Sequence, residues 1–200
     1  MAISTRASNV LPDNAKLVYS LDLLKNKRAF WLLQIPAALG FFIFGFLFLL
    51  WTTWLRPNLL QTLSAGVEIK LLDLLALVIS LVVFLVLHEL IHGAFFWIYS
   101  RSRPKFGLRS GYAFAAAPGW YFPRRQYLMI AFAPFVLLSI LGMILLVVVP
   151  VGMLPAILFG VVTNAAGAVG DIWIVLKIIR ERRNIVIEDL GDGFHFYALS

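Results

Sequence analysis

Two histidines and a glutamate stand together in an apolar run, His88-Glu89-Leu90-Ile91-His92. On a helix, residues four apart share a face one turn apart, so the two imidazoles can bind one metal ion. Glu89 follows the first imidazole and reaches the water such an ion activates. This is the H-E-x-x-H arrangement of zinc hydrolases. Zinc lowers the pKa of a water toward about 7 and polarises a carbonyl. The glutamate takes the water's proton and passes it to the leaving group.

A catalytic zinc asks for three protein ligands and an open position. Asp171 is the best third ligand, and His195 is the alternative. Asn164 lies seven residues before Asp171, hence on the same helix face. There it can orient substrate or bond a zinc ligand. The chain has three histidines and no cysteine. That excludes disulfides, thiolate ligands and thiol catalysis. It also excludes membrane di-iron oxidases, which need many histidines. Haem held between two spans wants histidines on different helices.

The elements that must position these groups are written in the hydropathy. Of the 200 residues 62% are hydrophobic and 14% charged, and mean hydropathy is +0.91. A soluble core of this size has no room for so much apolar surface. The composition predicts an all-α membrane protein with four transmembrane helices. They run roughly over Phe30–Thr52, Leu71–Tyr99, Tyr127–Val149 and Leu154–Leu176. Pro36 is placed to kink the first, and Pro150 and Pro155 bracket a short turn that makes the last two antiparallel neighbours. Charged groups inside a span are expensive and usually functional. Within the four spans the set is His88, Glu89, His92 and Asp171, with Asp73 at the outer end of the second.

Net charge is +7. The basic residues cluster beside apolar runs, so they signal orientation in a membrane, not nucleic acid. Three groups do so: Arg6 to Arg28, Arg101 to Arg125 and Lys177 to Arg183. The remaining flanks hold only Arg56 and Lys70. Four spans put the three basic groups on one side, the cytoplasmic side of the cell membrane, with both termini there. On that topology His92 lies roughly 13 Å and Asp171 roughly 9 Å from the cytoplasmic ends of their spans. The two therefore meet at similar depth. No cleavable signal is expected.

Residues 1–29 form a cytoplasmic N-terminal segment, 30–184 the four-helix domain and 185–200 a cytoplasmic tail. The middle loop carries GYAFAAAPGWYFP, with a turn signal at Pro118-Gly119 between two β-prone runs. It is expected to form a small β-hairpin or re-entrant loop at the cytoplasmic face. The tail is strand-like around Asp192-Gly193.

HELIHG (His88–Gly93), the loop from Pro104 to Tyr127, TNAAGAVGD (Thr163–Asp171) and EDLGDGFHFY (Glu188–Tyr197) resemble the bacterial putative zincin membrane peptidases. The likeness runs from about residue 20 onward. The order of elements is also similar to site-2-type intramembrane metalloproteases. The resemblance implies zinc on His88, His92 and Asp171, Glu89 as general base and Asn164 in substrate positioning. It further implies that the loop around Gly111–Phe122 holds substrate as an added strand, with Gly111, Tyr112 and Phe114 as contacts.

The leading expectation is an integral-membrane zinc metallopeptidase whose partners are the bilayer and a membrane-protein or peptide substrate. A zinc hydrolase of lipids or other amides and a non-catalytic metal-binding scaffold are the alternatives. A transporter fits poorly, because no internal repeat marks a pathway.

Overall fold

The computed structural model describes residues 6–22, 27–59, 70–109, 112–191 and 193–199. Its elements in chain order are β1 (Ala15–Asp22), α1 (Lys27–Leu55), α2 (Leu71–Ser100), β2 (Lys105–Arg109), β3 (Tyr112–Ala116), β4 (Tyr121–Pro123) and α3 (Arg124–Val148). A 3-10 turn (Val151–Met153), α4 (Leu154–Gly167), α5 (Val169–Arg180), β5 (Ile185–Asp189) and β6 (Gly193–Leu199) follow. Among the described residues, four stretches are long and apolar enough to cross a membrane: Trp31–Leu55, Leu71–Ser100, Arg124–Val148 and Val151–Arg180. The protein is mostly helical, with two small sheets.

The fourth stretch departs from the expected single helix. It breaks at Ala168, between α4 and α5. Gly167 and Gly170 flank the break, and glycine is a poor helix former. The break puts Asp171 in the first turn of α5, where the exposed amides of a helix start favour a carboxylate.

The sheets also refine the expectation. A hairpin is present, but it joins β2 to β3, with Lys105 opposite Ala116 and Arg109 opposite Tyr112. Pro118-Gly119 does turn the chain, Gly119 taking a φ of 76°. The strands on either side of that turn do not pair with each other. β4 instead lies on β5, in a four-stranded antiparallel sheet of order β1-β6-β5-β4. Glu188 holds the turn against that sheet, its Oε1 accepting from the Gly119 amide at 3.0 Å. The N-terminal segment supplies β1, whose Ala15 pairs with Leu199 near the other end of the chain.

The chain forms two compact units. One comprises residues 1–33, 89–134 and 170–200 and holds both sheets. Its core packs Phe96, Phe122, Ile178, Ile187 and Phe196. Arg124 ties α3 to the end of α5 by donating to the carbonyls of Ile179 and Glu181. The other unit comprises residues 34–88 and 135–169. Small residues bring its helices close: a Cβ on Gly142 would stand 2.2 Å from Val161, and one on Gly160 would stand 2.3 Å from Ser80. Arg56 donates to the carbonyls of Leu146 and Val149 at the end of α3, where helix carbonyls otherwise lack partners.

Candidate metal centre

His88, Glu89 and His92 all lie on α2, which is unbroken from Leu71 to Ser100. Its apolar sequence has no glycine or proline before Gly93, so the helical period carries straight through the motif and stacks the two imidazoles. His92 is nearly enclosed, its side chain 11% exposed, and its Nε2 lies 3.4 Å from Oδ1 of Asp171. One ligand atom from each of His88, His92 and Asp171 falls within 4.8 Å of the others.

The other ring nitrogen of each histidine is engaged. His92 Nδ1 lies 2.9 Å from the backbone carbonyl of Ile130. His88 Nδ1 lies 2.9 Å from Oδ1 of Asn164. Both partners are oxygen acceptors, so each bond requires a proton on Nδ1. In the neutral form of each imidazole Nε2 then carries a lone pair, which is what a metal ion binds. His92 Nε2 faces a carboxylate oxygen of Asp171, so the pair needs a proton on that nitrogen or a cation between the two atoms. A cation relieves this arrangement, and two imidazole nitrogens with one carboxylate oxygen are the donor set zinc takes in hydrolytic sites. The residues therefore fit a zinc ion and leave a coordination position for a further ligand.

The Ile130 carbonyl is available for a sequence reason. Pro134 lies inside α3, four residues on. Proline has no amide hydrogen and its ring pushes against the carbonyl four residues earlier. The helical bond that Ile130 would have made is missing, and His92 takes its place. The sequence reading missed this pair. Its signal was a proline near the middle of an apolar span, where the freed carbonyl must find another donor.

The remaining candidates fall as follows. Glu89 is half-buried in α2. Asn164 is 8% exposed, and its Nδ2 has no hydrogen-bond partner among the described residues. His195 is on β6, with Nδ1 3.3 Å from the Tyr197 hydroxyl and 3.6 Å from Glu188. It is not part of the metal-capable group, which Asp171 completes. Phe114 lays its ring over Gly107 and Gly191. Tyr112 opens β3 opposite Arg109, and Gly111 and Asp192 lie outside the described residues.

A buried pair stands beside the centre. Tyr127, 3% exposed, donates its hydroxyl to Oδ2 of Asp189, whose Oδ1 accepts from the Gly191 amide at 2.8 Å. Burial pushes the Asp189 carboxyl up to about 6, against the opposing pull of these two donors and of His92.

The family described as putative zincin peptidase matches residues 81–186, over half of the chain. The chain belongs to this family. His88, Glu89, His92, Asn164 and Asp171 all fall within the matched segment, as do Ile130 and Pro134, whereas Asp189 and His195 lie beyond it. Comparison with curated proteins and with solved structures finds no match.

Proposed function

We propose that the protein is an integral-membrane zinc metallopeptidase that hydrolyses peptide bonds of membrane-embedded or membrane-adjacent substrates. The observation that carries the reading is the gathering of His88, His92 and Asp171, with His92 Nε2 3.4 Å from the Asp171 carboxylate. His88, His92 and Asp171 hold the metal. When bound, zinc acidifies a water and polarises the scissile carbonyl.

The chain's own groups do the rest. Glu89, next to the first ligand, accepts a proton from the attacking water and returns it to the leaving amine. Asn164 fixes the His88 ring through Nδ1, and its unpaired Nδ2 is a donor for a substrate carbonyl. The loop around Gly111–Phe122, with Gly111, Tyr112 and Phe114 as contacts, offers an extended peptide a strand to pair with. An extended peptide exposes carbonyls that a helix hides.

The four apolar stretches and the basic flanks support insertion in the cell membrane with both termini in the cytoplasm. On this reading residues 30–184 are the membrane domain, and 1–29 and 185–200 are cytoplasmic. The test is purified protein in detergent, offered a peptide panel and a lipid panel. Peptide cleavage by the wild type and none by Glu89→Gln supports the reading. Turnover of lipids alone, or cleavage surviving in Glu89→Gln, sinks it.

A further inference from the structure

The first three turns of α3 contain a set of contacts that the metal reading does not require. Four residues share them: Tyr127, Ile130, Pro134 and, from the end of β5, Asp189. Tyr127 and Ile130 are three apart and share a helix face. Tyr127 is bonded to Asp189, and Ile130 accepts from His92. Asp189 is itself fixed by the Gly191 amide, in a turn where Gly191 takes a φ of 85°.

We propose that Pro134 and the Tyr127–Asp189 bond are positioning elements for the second histidine ligand: the proline frees the Ile130 carbonyl, and the tyrosine holds it level with His92. The proposal rests on the metal reading above. An interior proline weakens a helix, so Pro134 weakens α3 where α3 supports a ligand. With alanine there, the new amide would draw the Ile130 carbonyl back into the helix, and His92 would lose its acceptor. The ring would then be free to turn and to exchange its proton between nitrogens. Phenylalanine at 127 keeps the buried ring but releases this turn of α3 from β5.

The experiment is titration of detergent-purified wild type, Pro134→Ala, Tyr127→Phe and, as a control in the same sheet, Tyr197→Phe. Zinc affinity is read by chelator competition, and the ligand field by the visible absorption of bound cobalt(II). Outer partners of metal-bound histidines are typically worth 10–100-fold in affinity. Pro134→Ala should bind zinc about tenfold more weakly and shift the cobalt bands, while its melting temperature holds or rises. Those opposite signs distinguish positioning from a general loss of structure. Tyr127→Phe should follow in affinity, and Tyr197→Phe should match the wild type. Unchanged affinity and cobalt bands in both Pro134→Ala and Tyr127→Phe overturn the proposal and leave the metal reading intact. A wild type that binds no zinc overturns both.

Discussion

His92 Nε2 and Asp171 Oδ1 face each other 3.4 Å apart. The contact joins α2 to the first turn of α5, residues 79 positions apart in sequence. A proton on Nε2 or a cation between the two atoms satisfies both. The contact has a physical rationale as two thirds of a metal shell, with His88 one helical turn away on α2.

The bond from His88 Nδ1 to Asn164 Oδ1 predicts a role for the amide that zinc titration can read. Asn164→Leu removes the acceptor at similar volume. Affinity should fall by about 10–100-fold while the helices stay folded by circular dichroism. Wild-type affinity in Asn164→Leu would assign the amide to substrate alone.

Much of the centre was legible from residue type. In so apolar a chain, two histidines at helical spacing and one later aspartate are conspicuous because burying them is costly. The four apolar stretches follow from length and composition. The four-stranded sheet was harder, because its pairing is non-local: Ala15 meets Leu199, and no short window of sequence encodes that register. Pro118-Gly119 marked a turn without saying which strands would pair. Pro134 was visible as a letter, but the donor it makes room for lies on another helix.

Gly93 follows His92, and a Cβ there would stand 2.2 Å from Cζ of Phe106 on β2. Phe106 is half exposed, so the ring and its hairpin must give way. Gly93→Ala should loosen the hairpin at a cost of about 1–3 kcal/mol and speed its cleavage in limited proteolysis. Adding Phe106→Ala should restore protection. Equal protection in wild type and Gly93→Ala contradicts the packing.

Asp189 predicts a pH dependence. Its carboxyl is raised from 3.8 to about 6 by burial, so the folded chain holds this proton more tightly than the unfolded chain. The stabilisation is present below about pH 4 and is lost as pH rises to about 6. Asp189→Asn, neutral throughout, should therefore gain stability relative to the wild type across that window, by on the order of 2–3 kcal/mol. Melting curves with a chelator present read the difference. A constant offset between the two proteins at all pH values argues against the shift.

The central claim is tested most directly by the metal content of detergent-purified protein. Wild type and Glu89→Gln should each carry one zinc per chain, because the glutamate is not a ligand. His88→Ala and Asp171→Ala should each carry little or none. Full zinc in Asp171→Ala, or none in the wild type after purification with zinc supplied, would contradict the account.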